Sequence, residues 1–367
     1  TVSNSSILIL NLFGINLYKL MQITKLFLIL FVNCRFLISN FISFKIFLGE
    51  RMESSLLNAK GVYAIATTPF KENGEIDFNS VDKLSEYYIE SGATGITILG
   101  VMGEAPKMNL EEQKHLIKRY VKNLRDKIPI IIGVSNPGLD NLKTIAQEGM
   151  QLGANGVMVA GINGLKNDDQ IENYFDSVIG YLQGMPICLQ DYPPTTNVHF
   201  STSLIEKIFA KHPQFEMFKH EDCPGHRKLS QLIKSRENLG RKKYSILVGN
   251  GGLYVPQELF RGADGIMTGF AFTSMLVNVF DLFQKGAKEE SEDLFDIYLP
   301  LIRHEQQFGV GLAIRKEVLR KMGVISSAKT RSPGPKLDKD DLEELDRLLL
   351  RLKKNLQIKS LSVPIGI

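Results

Sequence analysis

From Lys60 onward, short runs of consecutive apolar residues alternate with longer segments in which apolar residues recur every three or four positions. The first run, Gly61–Ala66, is followed by a segment in which Val81, Leu84 and Tyr88 share one helical face. Continuous apolar runs are typical of buried parallel strands, and a period of about 3.6 residues is typical of helices packed against them. The pattern therefore predicts a parallel sheet that is covered by helices.

This strand–helix pattern occurs eight times. The predicted strands are Gly61–Ala66, Thr94–Leu99, Ile128–Val134, Gly156–Ala160, Met185–Gln190, Phe215–Lys219, Ile246–Gly249 and Gly265–Thr268. Eight such units in about 230 residues predict a closed (β/α)8 TIM barrel, of fold class α/β. A doubly wound open sheet is the alternative, but no Gly-x-Gly-x-x-Gly follows the first strand, which weakens that alternative.

Helical patterning continues beyond the eighth unit without any strand signal. In Leu337–Leu356 the acidic residues come first and the lysines last, which is the order that a helix dipole favours. We therefore predict a barrel over residues 52–286, additional C-terminal helices over residues 287–357, and a tail over residues 358–367.

Residues 1–51 differ in composition from the rest of the chain. They are rich in Ile, Leu and Phe and lack Ala, Pro, Asp and His. A spanning helix needs about 20 mostly apolar residues, and Lys19, Lys25, Arg35 and Lys45 interrupt the apolar run. We interpret the segment as a hydrophobic extension outside the core and hypothesise that it is not natural coding sequence, with a natural start at Met52. Mass spectrometry of the native N-terminus tests this hypothesis, and cell fractionation tests the alternative of a membrane anchor.

Composition and charge exclude several classes of function. The formal net charge is +4, and residues 1–51 account for it with five basic residues and one acidic residue. The rest of the chain is neutral, which argues against a nucleic-acid partner. The three cysteines, at positions 34, 188 and 223, have neither a disulfide-framework spacing nor a metal-ligand spacing. We therefore predict no metal site and no cofactor, and a reducing, cytoplasmic compartment is the default.

Residues capable of chemistry fall at the carboxyl ends of the predicted strands, which is where active sites of such barrels lie. Lys219 ends strand 6 and Tyr192 follows strand 5, so both can face one cavity. Two glycines flank Val101 and Met102 after strand 2. They free the backbone to turn its N–H groups toward an anion such as a carboxylate.

Lys219 has two interpretations. A lysine at the end of a buried strand must find a partner or lose its proton, because desolvation disfavours its charged form. It either caps the strand and pairs with Glu221 or Asp222 at the surface, or serves as a neutral, nucleophilic amine. The presence of Tyr192 and the glycine-flanked turn on the same predicted face favours the nucleophile.

With these motifs the chain resembles the dihydrodipicolinate synthase and N-acetylneuraminate lyase superfamily of Schiff-base-forming (β/α)8 enzymes. The resemblance begins near Gly61 and extends to the C-terminal helices. It rests on Gly-x-x-Gly-Glu at 100–104, the tyrosine–proline turn at Tyr192, Lys219, Gly249 and Gly-Ala-Asp-Gly-Ile-Met at 262–267. It implies an aldolase, synthase or dehydratase that acts on a pyruvate-like 2-oxo acid and assembles as a homotetramer.

The resemblance also implies roles for individual residues. Lys219 would form the Schiff base, Tyr192 would shuttle protons, and the backbone at Val101 and Met102 would hold the carboxylate of the 2-oxo acid. The other predicted substrate-binding residues are Gly249 and Met267, which match pocket positions of the family, and Asn250 and Thr195, which offer hydrogen bonds to the rest of the substrate.

Departures from the family pattern narrow the predicted substrate. Val101 and Met102 stand where pyruvate-condensing members usually have hydroxyl residues. Residues 161–163 lack the second tyrosine of the synthases, and residues 195–197 lack the arginine that binds the second substrate's carboxylate. Because a buried carboxylate needs a cationic partner, we expect a neutral, hydroxyl-bearing far end. If the fold supplies a cation there, the candidates are His199, His220 and Lys166.

The predicted function is therefore a lyase that acts on sugar-acid-type 2-oxo acids in preference to aspartate semialdehyde. Two alternatives stay open. One is a 4-hydroxy-tetrahydrodipicolinate synthase, and the other is a catalytically silent relative that binds a small carboxylate.

Overall fold

A closed parallel barrel of eight strands forms the centre of the molecule. The computed structural model describes residues 56–238, 244–362 and 364, so the predicted extension over residues 1–51 lies outside the described residues. The strands follow one another around the barrel in chain order, and the eighth pairs in parallel with the first. The predicted (β/α)8 barrel is confirmed.

Every predicted strand is present, with boundaries within two residues of those expected. The strands are β1 Gly61–Ile65, β2 Gly95–Ile98, β3 Ile130–Gly133, β4 Gly156–Ala160, β5 Ile187–Asp191, β6 Phe215–His220, β7 Ser245–Val248 and β8 Gly265–Thr268.

Twelve α-helices in the described part of the chain surround the barrel and extend past it. They are α1 Phe78–Glu90, α2 Leu110–Leu124, α3 Leu139–Leu152, α4 Asp168–Tyr181, α5 Pro193–Thr196, α6 Thr202–Lys211, α7 His226–Asn238, α8 Val255–Phe260, α9 Thr273–Gln284, α10 Lys288–Glu305, α11 Gly311–Lys321 and α12 Lys339–Ile358. No helix within the described ranges is long and apolar enough to cross a membrane.

Local sequence explains where these helices begin. At the start of α2 the Asn109 side chain accepts a hydrogen bond from the Glu112 backbone N–H at 2.9 Å, and the Glu112 carboxylate accepts one from the Asn109 N–H at 3.0 Å. This reciprocal capping satisfies two N–H groups that a helix end leaves without partners. The apolar face that follows, including Leu116, Ile117 and Tyr120, is fully buried.

The core has two layers because side chains of a strand point alternately inward and outward. The inner layer fills the barrel and contains Tyr63, Ile65, Ile131, Met158, Cys188, Met217, Leu247 and Met267. The outer layer lies between strands and helices and includes Phe218. Since Met217 points inward and Phe218 outward, the alternation directs Lys219 into the barrel mouth.

The C-terminal helices α10, α11 and α12 pack against one another and against the barrel. Helix α10 packs against α9 and against the turn at Asn250–Gly252 after β7. The residues that follow α10, and the inward face of α11, therefore reach the carboxyl end of the barrel. The predicted additional C-terminal helices are confirmed.

Candidate active site

Lys219 lies buried at the carboxyl end of β6, with 4% of its surface exposed. Its Nζ lies 2.9 Å from Oε2 of Glu221, which is also buried. Asp222, the other partner considered from the sequence, pairs with Lys228 instead, at 2.6 Å. Lys219 is thus paired with Glu221, but inside the barrel mouth and not at the surface.

Glu221 is held in place by hydrogen bonds to both of its carboxylate oxygens. The Gln190 side-chain Nε2 donates to Oε2 at 2.6 Å, and the Asn250 backbone N–H donates to Oε1 at 3.1 Å. Gly249 leaves room for this arrangement, because a Cβ atom there would come within 2.5 Å of Oε1. The carboxylate is therefore oriented with one oxygen directed at the lysine amine.

A cavity of about 50 Å³ opens beside this pair. Its walls come from the ends of the strands and from the segment after α10. They are formed by Ile65, Val101, Met102, Gln190, Tyr192, Lys219, Glu221, Gly251, Thr268, Gly269, Gln306 and Arg315. Lysine, tyrosine and carboxylate thus face one enclosed space, which is an arrangement suited to imine chemistry with proton transfer.

The Tyr192 phenol lines the same cavity. Burial and the nearby Glu221 charge raise the pKa of its phenol to about 12, although a hydrogen bond from Gln306 and the charge of Arg315 oppose the rise. The phenol therefore stays protonated at neutral pH and throughout moderately alkaline conditions.

The turn after β2 is braced by a buried ion pair. Val101–Gly103 form one short 3-10 turn between two residues with left-handed backbone, Leu99 at φ 57° and Glu104 at φ 54°. The Glu104 carboxylate accepts a hydrogen bond from Lys316 of α11 at 2.5 Å, and Lys316 also donates to the Thr68 carbonyl at 2.8 Å. Burial lowers the pKa of Lys316 to about 8. Helix α11 thereby fixes the shape of the turn.

The predicted site residues occupy several positions around this cavity. Lys219, Tyr192, Val101 and Met102 line it directly. Val101 is 49% exposed and lies at its outer edge. The remaining four predicted residues do not line the cavity. Gly249 and Asn250 contact Glu221, and Met267 belongs to the inner core layer. The exposed Thr195 donates from its hydroxyl to the Tyr192 carbonyl at 3.2 Å.

Apart from Glu221, which was considered only as a surface partner of Lys219, sequence reasoning missed four polar or charged residues of the cavity wall: Gln190, Thr268, Gln306 and Arg315. Gln190 and Thr268 are the last residues of two predicted strands, so a search of all strand ends for polar residues would have identified them. Gln306 and Arg315 carry no such signal, because they arrive from the C-terminal helices.

Besides Lys219, the basic residue that lines the cavity is Arg315, which was not among the three candidates proposed from the sequence. His199 and Lys166 are exposed. His220 points away from the barrel interior, stacks on Phe218 and lies 3.1 Å from the Gly225 carbonyl through its Nε2.

Comparison with known proteins identifies a matching family and several relatives. The family described as "Dihydrodipicolinate synthetase family" matches residues 58–352. An L-2-keto-3-deoxyarabonate dehydratase of Azospirillum brasilense is 25% identical over 303 residues, which cover 82% of this chain and 96% of that protein. A 4-hydroxy-tetrahydrodipicolinate synthase of Leptospira biflexa is 27% identical over 246 residues, covering 66% of this chain and 80% of that protein.

Solved structures include a similar barrel. The crystal structure of a dihydrodipicolinate synthase from Rhodopseudomonas palustris has a TM-score of 0.79 and 42% sequence identity, and the match covers 80% of this chain and 98% of that chain.

Proposed function

This chain belongs to the dihydrodipicolinate synthetase family, and on that premise we propose that Lys219 forms an imine with the carbonyl carbon of a 2-oxo acid. Members of this family are lyases, and relatives of this chain are named as a synthase and a dehydratase. The observation that carries the proposal is the buried Lys219–Glu221 pair, 2.9 Å apart, at a cavity that Tyr192 also lines.

The first step makes the amine nucleophilic. Glu221 Oε2 takes a proton from the Lys219 ammonium across the 2.9 Å contact, and the neutral amine then attacks the substrate carbonyl carbon. In the addition product a proton moves from nitrogen to the alkoxide oxygen and gives a carbinolamine. Tyr192 donates its phenol proton to the carbinolamine hydroxyl, which leaves as water, and the protonated Glu221 returns a proton to the phenolate. The resulting protonated imine accepts electrons from a bond that breaks next to it.

The polarity of the cavity and the names of the relatives support a proposal for the substrate class. Gln190, Gln306 and Thr268 offer uncharged hydrogen-bonding groups, which suit a hydroxyl-bearing chain. In a 3-deoxy sugar acid, removal of a C3 proton from the imine gives an enamine, and the enamine expels the C4 hydroxyl as water. The dehydratase of Azospirillum brasilense, by its name, acts on a compound of this type, so we propose a sugar-acid-type 2-oxo acid as the substrate.

A substrate panel tests this proposal. We expect 2-keto-3-deoxy sugar acids to be turned over faster than pyruvate is condensed with aspartate semialdehyde. Efficient condensation with aspartate semialdehyde would favour the second candidate, a 4-hydroxy-tetrahydrodipicolinate synthase, which is the name of several relatives. Borohydride treatment with pyruvate separates both from a silent carboxylate-binding protein, because only an imine former gains stable mass on Lys219.

Replacement of Tyr192 by phenylalanine is expected to lower turnover by about 10²–10⁴-fold, which is the usual contribution of a positioned proton donor. The ring still fills the same space, so the thermal unfolding midpoint should change little. Steady-state kinetics and thermal unfolding of the Tyr192→Phe variant measure the two effects. Tyr181→Phe is a matched control, since Tyr181 is the last residue of α4 and does not line the cavity, and its turnover should equal that of the wild type. Unchanged kinetics in Tyr192→Phe would mean that the tyrosine only packs.

We further propose that the chain self-associates as a homotetramer, as its resemblance to the family implies. Sedimentation velocity at micromolar concentration should give a mass four times that of the 41.2 kDa chain. A stable monomer under those conditions would contradict the proposal.

A further inference from the structure

Arg315 presents an unsatisfied guanidinium group to the active-site cavity. It lies on α11, lines the cavity and is 2% exposed. Its Nε donates to Oε2 of Glu305 at 2.9 Å. Its Nη1, however, is buried without a hydrogen-bond partner within residues 56–238 and 244–362. A buried donor left without an acceptor costs free energy. An acceptor atom of a bound ligand would remove that cost.

Gly269 lacks a side chain and so leaves the space that the Arg315 guanidinium occupies at the cavity. This residue directly follows β8 and lines the cavity. A Cβ atom at position 269 would come within 2.3 Å of Arg315 Nη1 and 3.0 Å of the Ile65 carbonyl oxygen. Only glycine therefore allows the guanidinium to reach this point, and its tip lies beside the end of β1.

The same end of β1 touches the turn after β2. A Cβ atom at Gly100 would lie 3.4 Å from the Ile65 side chain, and Val101 and Met102 follow directly. Ile65 thus lies between the Arg315 guanidinium and that turn. In an eight-stranded barrel, β2 stands opposite β6, so these groups face Lys219 across the cavity.

We propose that Arg315 Nη1 binds the C1 carboxylate of the 2-oxo acid whose carbonyl carbon is attacked by Lys219. The proposal rests on the function proposed above and adds a recognition residue to it. In a 2-oxo acid the carboxylate is bonded directly to the reacting carbon, so a small cavity with the amine on one wall and a guanidinium on another accommodates both groups.

The positive charge of Arg315 strengthens binding of the substrate carboxylate. The turn offers only backbone N–H groups to the carboxylate, since Val101 and Met102 carry no hydroxyl. A hydrogen bond from a charged donor is roughly twice as strong as a neutral one. Glu305 holds the guanidinium by its Nε, and its own second oxygen accepts from the Ala271 N–H at 3.3 Å. The Nη1 of the arginine remains available for the substrate.

The experiment compares two small ligands that differ in this one charge. Pyruvate carries the carboxylate, and pyruvamide replaces it with a neutral amide of similar shape. Borohydride reduction at increasing ligand concentration, followed by intact-protein mass spectrometry, gives the half-saturating concentration for each ligand. In the wild type, pyruvate should saturate at a concentration at least about 10-fold lower than pyruvamide, because a hydrogen bond to a charged group is lost with the amide.

Two variants remove the contact in different ways. Arg315→Met removes the guanidinium, and Gly269→Ala keeps both Arg315 and Glu305 but blocks the path of Nη1. Each should raise the half-saturating concentration of pyruvate about 10- to 100-fold and leave that of pyruvamide nearly unchanged. Arg320→Met is the matched control, because Arg320 lies on the same helix and pairs with Glu317 outside the cavity. It should leave both concentrations unchanged.

The outcomes separate this inference from the proposed function. Absence of any adduct on wild-type Lys219 would contradict the proposed function, and the inference with it. An adduct that forms at equal concentrations of pyruvate and pyruvamide in the wild type would overturn the inference alone. The inference is equally contradicted if either variant, shown to be folded by circular dichroism, keeps the wild-type half-saturating concentration for pyruvate.

Discussion

Lys219→Arg is expected to abolish turnover, lowering it by about 10⁴-fold or more, which is the size of loss seen when a covalent nucleophile is removed. Arginine keeps the positive charge and the ion pair with Glu221, but its guanidinium stays protonated and cannot attack a carbonyl. The fold should survive because charge and approximate length are retained. Turnover of the best panel substrate and borohydride-dependent mass gain with pyruvate measure the loss.

The matched control is Lys228→Arg. Lys228 is a nearby lysine that pairs with Asp191 at 2.9 Å and Asp222 at 2.6 Å, outside the cavity lining. Its replacement should leave the adduct on Lys219 intact. An adduct that still forms in Lys219→Arg would show that another amine is the nucleophile, and peptide mapping would locate it.

Glu221→Gln is expected to slow imine formation by about 10²–10⁴-fold, the usual contribution of general base catalysis. Glutamine has nearly the same shape, and its single carbonyl oxygen can still accept the hydrogen bond from Gln190. Its amide NH2 then faces the Asn250 N–H, so one hydrogen bond is lost while the site largely keeps its geometry. What it loses is the ability to take a proton from the lysine ammonium at 2.9 Å. The rate of adduct formation with pyruvate, measured by rapid mixing with borohydride, reports this step directly.

One effect acts in the opposite direction. Without the carboxylate charge, Lys219 loses its ion-pair partner at 2.9 Å, so its side chain is freer to approach the substrate carbonyl carbon. We expect the loss of the base to dominate, because the proton then has no acceptor as close to the amine as Glu221 was. The deficit should shrink as pH rises, since hydroxide takes over the role of the base.

The control for Glu221 is Asp222→Asn, which removes a neighbouring carboxylate that pairs with Lys228. Its rate of adduct formation should match that of the wild type. Equal rates in Glu221→Gln and the wild type at neutral pH would contradict the role of Glu221 as a base and leave Tyr192 as the remaining proton carrier.

The barrel and the position of Lys219 in it were predictable from sequence because both depend on local patterns. Eight apolar runs specify buried parallel strands, and the carboxyl ends of such strands meet at one face. Lys219 and Tyr192 end or follow neighbouring strands, so topology alone brings them together. The two-residue period of a strand also places Glu221 on the same side as Lys219. That signal was present, but Glu221 was considered only as a surface partner, in the interpretation that was not favoured.

The cation at the cavity was not predictable in the same way. The candidates His199, His220 and Lys166 all precede β7, whereas Arg315 lies about 120 residues after the loop that follows β5, where α11 packs over the barrel mouth. Nothing in the spacing of Gln306 or Arg315 relates them to Lys219. Whether the far end of the substrate is neutral stays a prediction, which the substrate panel tests.

The sequence by itself therefore determined the barrel, the strand ends that bear Lys219 and Tyr192, and the glycine-flanked turn, because these follow from residues close together in the chain. Only the tertiary structure decided that Glu221 is buried against the lysine and that α10 and α11 bring Gln306 and Arg315 into the same cavity. Side chains from helices distant in sequence reach the site because apolar faces of those helices pack against the barrel. The spacing of polar residues along the chain does not reveal which of them this packing brings together.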